Sequence, residues 1–114
     1  MLKDDEIRLR HMLDAALKAV SFVKGRSRSD FDSDEKLALA VTRLLEILGE
    51  AARGLSRDFK NSNPQIEWKQ IMGTRDRLIH GYFDVDLDII WAIVTRDLPP
   101  LIKELENLLS RKGK

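Results

Sequence analysis

The chain has 114 residues, of which 43% are hydrophobic and 34% are charged, and it contains no cysteine. This length and balance favour one globular domain over residues 1–114 and argue against a disordered chain. The lack of cysteine excludes disulfides, thiolate nucleophiles and cysteine-based zinc sites. The formal net charge of +1 argues against nucleic-acid binding by overall charge, so any such activity needs a local site.

The first ten residues carry charges where a signal peptide would need an apolar stretch. No apolar run approaches the roughly 20 residues that a bilayer-spanning helix requires. We therefore expect a cytoplasmic protein that does not associate with a membrane.

Hydrophobic spacing predicts two long helices in the first half of the chain. Apolar residues recur three and four apart from Leu9 to Val23, which indicates an amphipathic helix that ends near Gly25. A second helix is predicted to open at Asp32 and Glu35, whose spacing matches a capping box. Its heptad-like stripe of leucines, valine and alanine, which extends as far as residue 55, is typical of the central helix of a bundle.

The second half predicts shorter segments and one further long helix. Asn63 followed by proline indicates a helix start, and Thr74 could cap a short helix over residues 75–80 that ends at Gly81. The last helix is predicted to begin near Asp86. A kink or break in this last helix is expected at Pro99 and Pro100, and Asp97 could cap the part of the helix that follows the break. No segment reads as a strand, so the predicted fold is an all-α, up-and-down four-helix bundle with short extra helices.

Histidine is the side chain best suited to acid–base chemistry near neutral pH, and the chain has two. His11 lies among charged residues and is expected to be a plain surface histidine. His80 closes a stretch that also holds Arg75, Asp76 and Arg77. On a helix, Asp76 and His80 share a face, whereas Arg75 and His80 lie about 140° apart. Convergence of these two therefore requires a two-fold dimer or unwinding at the following glycine.

Metal-free RNA cleavage needs a base for the 2′-OH, an acid for the leaving 5′-oxygen and a cation for the phosphate. A histidine and an arginine supply these groups, since guanidinium binds phosphate in a bidentate manner. The alternative is an ordinary polar helix face formed by Asp76, Arg77 and His80, with Arg75 in a salt bridge. Spacing alone does not decide between the two.

The order arginine, four residues, histidine, any residue, tyrosine is matched by Arg75, His80 and Tyr82. With this motif and the surrounding stretches 44–52, 64–73, 85–91 and 97–99, the chain resembles HEPN-domain proteins of the HepT-like branch. The likeness covers nearly the whole chain.

This resemblance implies an all-α homodimer that cleaves RNA at a cleft in the dimer interface, with Arg75 and His80 catalytic and no metal or cofactor. Asp76 stands where the family usually has another polar residue, often asparagine, and is expected to act with Arg77 in a supporting role. The resemblance further implies a toxin–antitoxin pair of type VII. Its antitoxin, a nucleotidyltransferase, would block the toxin by attaching AMP to Tyr82. DNA is not an expected partner.

Two other functions remain open. The chain could be a non-catalytic helical dimer that binds a nucleotide or regulates a partner nucleotidyltransferase, or it could perform acid–base chemistry on a small nucleotide.

Several residues outside the motif also invite an interpretation. The basic residues Arg53, Arg57 and Lys60 could extend a phosphate track or form a solvated face. Trp68 and Trp91 are expected in the core. Glu46 and Glu50 lie four apart without a histidine at ligand spacing, which favours surface or interface positions over a metal pair.

Overall fold

The computed structural model describes residues 1–80 and 84–111, with the backbone alone for His80. Helices make up most of the described chain, which confirms the all-α class. In chain order the elements are α1 (Lys3–Val23), α2 (Asp30–Ser33), α3 (Glu35–Arg53), α4 (Arg57–Ser62), α5 (Trp68–Met72), α6 (Thr74–Leu78), β1 (Ile79–His80), β2 (Asp84–Val85), α7 (Leu87–Ala92), a π-helical segment (Ile93–Asp97) and α8 (Leu98–Arg111).

Three long helical stretches enclose the core. The first helix packs along α3 and also against α8, and α8 continues the helical path of α7 and the π segment. Most of the apolar residues that the spacing places on one face of each helix are buried or half-buried, but Leu17 on α1 is 45% exposed. Fully buried members include Leu9, Met12, Leu45, Leu48, Leu98 and Leu105. Between α3 and the hairpin the chain forms three short helices, α4, α5 and α6, where the sequence predicted two helical segments.

The start of α1 is tied to the start of α4 by a buried carboxylate. Asp5 is only 3% exposed, and its two oxygens accept hydrogen bonds from the backbone N–H and the hydroxyl of Ser56, at 2.8 and 2.7 Å. The Ser56 hydroxyl in turn accepts from the backbone N–H of Phe59 and so caps α4. A buried carboxylate is tolerated where its oxygens are satisfied in this way.

The α1–α3 connection corrects the predicted capping box. Gly25 takes a φ of +75° after α1, as expected for a residue that ends a helix. Asp32 lies inside the single turn α2, and Asp34 is the residue that caps α3, by accepting from the backbone N–H of Leu37. That hydrogen bond and the nearby Arg26 guanidinium hold the pKa of Asp34 below its usual value.

Two further predicted helix caps are wrong. Asn63 ends α4 rather than starting a helix: its amide donates to the Phe59 carbonyl, and its own carbonyl accepts from the Trp68 indole N–H. Thr74 donates its hydroxyl to the Ile71 carbonyl at 2.6 Å, so it satisfies the end of α5 instead of capping α6. Both side chains donate to carbonyls near the end of the preceding helix, where the regular helical donors run out.

Both tryptophans pack as expected. Trp68 is 7% exposed and meets the edge of Phe59, with ring centroids 6.1 Å apart. Trp91 is half-buried and packs edge-to-face with Phe31 at 5.6 Å. These arrangements favour packing over base stacking.

The two prolines coincide with a change of helix type. Pro99 and Pro100 lie in the first turn of α8, directly after the π segment, and Asp97 ends that segment. Since proline has no N–H to donate to the preceding turn, the regular ladder cannot continue there. The predicted disruption therefore takes the form of a π segment within a continuing helix. Among the described helices, none has the length and apolar character to cross a bilayer.

Candidate functional site

The motif segment is a short helix followed by one strand of a small hairpin. The antiparallel strands β1 and β2 pair Ile79 with Val85 and His80 with Asp84. The Leu78 carbonyl accepts from the backbone N–H of Asp86 at 2.7 Å. This long-range bond takes the place of the next helical one, so the helix predicted over residues 75–80 ends at Leu78.

The end of α6 changes the predicted relation between the motif residues. His80 lies in an extended strand, so it does not share a helix face with Asp76, and the 140° separation from Arg75 no longer applies. Asp76 itself is exposed on α6. Tyr82 lies outside the described residues.

Arg75 projects from α6 into solvent beside the central helix. Its side chain is 63% exposed, and its Nε lies 3.5 Å from Oε2 of Glu46 on α3. The Glu46 side chain is only 19% exposed, so the carboxylate is largely buried while the guanidinium extends into solvent. Within the described part of the chain, the Arg75 side chain makes no other ion pair or hydrogen bond.

Arg77 faces a different region from Arg75. It is half-buried and lines a groove of about 330 Å³ between the α5–α6 region, the π segment and the start of α8. Residues two apart on a helix point in nearly opposite directions, which accounts for this separation. The groove has an apolar floor and a second arginine, Arg96; its lining includes Leu48, Ile71, Ile93, Leu98 and Leu101.

The corner between α5 and α6 is held in place by contacts from α3 and α4. Arg53 donates from Nε to the Met72 carbonyl at 3.1 Å, and Lys60 Nζ lies 3.3 Å from the Met72 sulfur. A Cβ at Gly49 would lie 3.0 Å from the Ile71 carbonyl oxygen, so a larger residue there would push the corner away by a few tenths of an ångström. Of the basic stripe, two members thus contact Met72, while Arg57 is exposed.

Two further expectations concern histidine and metal. His11 is exposed on α1, as predicted for a surface histidine. Across residues 1–80 and 84–111, no group of three or more histidines, aspartates or glutamates is placed to hold a metal ion.

The residue that sequence reasoning missed is Glu46. From the sequence, Glu46 was interpreted only in terms of its neighbour Glu50, four residues away on α3, as a surface or interface residue or one of a metal-binding pair. Its actual partner Arg75 is far away along the chain, and local spacing carries no signal for such a pair. Glu50 instead lies 3.9 Å from Arg43.

Comparison with known proteins gives a consistent result. The family described as "Ribonuclease HepT-like" matches residues 12–108. A protein of Caldanaerobacter subterraneus subsp. tengcongensis named "Putative RNase" is 38% identical, over 91% of this chain and 93% of its own. One of that same name from Methanocaldococcus jannaschii is 36% identical, over 91% and 95%. A "Probable ribonuclease HepT" of Thermococcus cleftensis is 44% identical, over 69% and 72%. No solved structure matches with comparable significance.

Proposed function

Because the chain belongs to the HepT-like, HEPN-type ribonuclease family, we propose that it is a metal-independent endoribonuclease whose catalytic residues are Arg75 and His80. The observation that carries this proposal is the state of Arg75. Its guanidinium is exposed on α6, the helix that leads directly into the strand of His80, while the Glu46 carboxylate forms an ion pair with its Nε at 3.5 Å. An accessible but anchored guanidinium suits the recognition of a phosphodiester.

The proposed reaction uses the substrate's own 2′-oxygen as nucleophile. A His80 imidazole accepts the 2′-OH proton, the 2′-oxygen attacks phosphorus, and the bond to the 5′-oxygen breaks. An imidazolium protonates that leaving oxygen, so the products are a 2′,3′-cyclic phosphate and a free 5′-OH. The Arg75 guanidinium stabilises the charge that builds up on the phosphoryl oxygens.

This chemistry accounts for the proposed homodimer. One imidazole cannot be neutral base and charged acid in the same step, whereas two His80 side chains related by a two-fold axis can divide these roles. A symmetric pair also presents two guanidinium groups to one RNA strand. We therefore place the cleft between two copies of the segment formed by α6 and the hairpin, acting on RNA in the cytoplasm.

Cleavage of RNA by the purified protein in the presence of excess EDTA tests this function. We expect cleavage to continue at an undiminished rate and to leave 2′,3′-cyclic phosphate ends, because no step needs a metal. Cleavage that stops with EDTA and returns with Mg²⁺ would contradict the metal-independent mechanism.

We further propose that the enzyme is a toxin controlled by a nucleotidyltransferase antitoxin that attaches AMP to Tyr82. Tyr82 lies two residues beyond His80 in the sequence. An added phosphate beside the cleft would repel the RNA backbone, in the way that phosphorylation blocks an anion site. The exposed Asp76 would support the site at its edge, whereas Arg77, which faces the groove on the other side of α6, would support it only through the packing of that helix.

Intact-mass measurement after co-expression with a candidate nucleotidyltransferase tests this control. We expect a gain of one or more AMP units and loss of RNA cleavage, and we expect neither change in the Tyr82→Phe variant. AMP that is still attached to the Tyr82→Phe variant would place the modification elsewhere.

A second candidate function is nucleotide binding without catalysis, in a dimer that regulates a partner nucleotidyltransferase. The groove lined by Arg77 and Arg96 supports this candidate by its size, since about 330 Å³ falls within the range of small-ligand sites. Its lining also includes Glu67, Asp97 and Glu104, whose charges oppose an anionic ligand. Absence of cleavage under all conditions, together with tight binding of the nucleotidyltransferase, would select this function over the nuclease.

A further inference from the structure

Glu46 and Arg75 form an ion pair whose geometry is asymmetric. The contact joins Oε2 of Glu46 to Nε of Arg75 at 3.5 Å. A guanidinium binds phosphate best through a pair of parallel N–H groups, and the two terminal nitrogens provide such a pair. A carboxylate held at Nε therefore leaves that edge available to the substrate.

Glu46 lies on the face of α3 that packs against the α5–α6 corner. Glu46, Gly49 and Arg53 are three and four residues apart on α3, so they share one face. Gly49 allows the Ile71 carbonyl to approach, and Arg53 donates to the Met72 carbonyl. These contacts fix the backbone just before Arg75, and Glu46 then reaches the arginine side chain itself.

We infer that Glu46 is a positioning residue that holds the Arg75 guanidinium by its Nε and turns the two terminal nitrogens toward the scissile phosphate. This inference rests on the proposed nuclease function. An exposed long side chain samples many rotamers, and a fixed partner lowers the entropy lost when the guanidinium aligns with the phosphoryl oxygens in the transition state. Glu46 does not touch the substrate.

The Glu46 carboxylate also has an unfavourable effect on RNA binding, and this predicts different changes in kcat and KM when its charge is removed. A negative charge near the bound RNA weakens ground-state binding, whereas the aligned guanidinium helps most when charge builds up in the transition state. Removal of the Glu46 charge should therefore slow the chemical step without weakening RNA binding. The ion pair is long, at 3.5 Å, and Arg75 is mostly in solvent, so the pair adds little to stability and the fold should not change.

The test compares Glu46→Gln with the matched control Glu50→Gln, one turn further along α3, where the side chain is 64% exposed and pairs with Arg43. For Glu46→Gln we expect kcat to fall about tenfold with KM equal or lower. The Glu50→Gln variant should match the wild type. Thermal unfolding midpoints should agree among all three proteins.

A second measurement shows whether Glu46 acts through Arg75. The Arg75→Lys variant keeps a positive charge but lacks Nε and the paired terminal nitrogens, so it should retain weak activity. In that background Glu46→Gln should cause no further loss, since the group that Glu46 orients is gone.

The outcomes separate this inference from the proposed function. Wild-type kcat in Glu46→Gln overturns the inference alone, and so does an equal loss in the wild-type and Arg75→Lys backgrounds. A rise in KM with unchanged kcat overturns it as well. Full activity of Arg75→Ala, or an inactive wild-type protein, overturns the assignment of Arg75 as catalytic and the inference together with it.

Discussion

Replacement of His80 by alanine is expected to lower the rate of RNA cleavage by about 10²- to 10⁴-fold, the contribution typical of a general acid or base. The loss should be large because the proposed cleft uses this side chain from both subunits, once as base and once as acid. The backbone pairing of His80 with Asp84 does not need the imidazole, so the hairpin should persist. Single-turnover cleavage of a labelled RNA measures the effect, and expression of the variant should no longer arrest growth.

The matched control for this variant is His11→Ala. His11 is the other histidine of the chain and is exposed on α1. Its replacement should leave the cleavage rate and the unfolding midpoint unchanged. If His80→Ala cleaves RNA at the wild-type rate, the acid–base role of His80 and the nuclease mechanism built on it are wrong.

Replacement of Leu45 by alanine is expected to lower the free energy of unfolding by about 2–5 kcal/mol, because it removes a fully enclosed side chain and leaves a cavity. Leu45 is 0% exposed on α3, the helix that also carries Glu46 and Gly49. Urea unfolding followed by circular dichroism measures the change.

Leu39→Ala is the control on the same helix. Leu39 is 58% exposed, so its truncation should change the free energy of unfolding by less than about 0.5 kcal/mol. Equal destabilisation by the two substitutions would mean that the core is not built around the buried face of α3 described above.

Local patterns were sufficient where a structural feature depends on neighbours within a few residues. The end of α1 at Gly25 and the start of α7 at Asp86, whose side chain accepts from the backbone N–H of Ile89, follow from the sequence. So does the buried face of α3, since a helix places residues three and four apart on one side. The motif residues Arg75 and His80 could likewise be identified along the chain, and the family they indicate is the one to which the chain belongs.

Features that depend on residues far apart in the chain could not be predicted from local sequence patterns. The helix that carries Arg75 ends at Leu78 because the Leu78 carbonyl bonds to the Asp86 N–H across the hairpin. Arg75 is anchored because α3 brings Glu46 to 3.5 Å from its Nε. Hydrophobic periodicity reports which face of an element is buried, but not which element packs against it. The tertiary structure alone therefore decided how the motif segment is shaped and which carboxylate reaches its arginine.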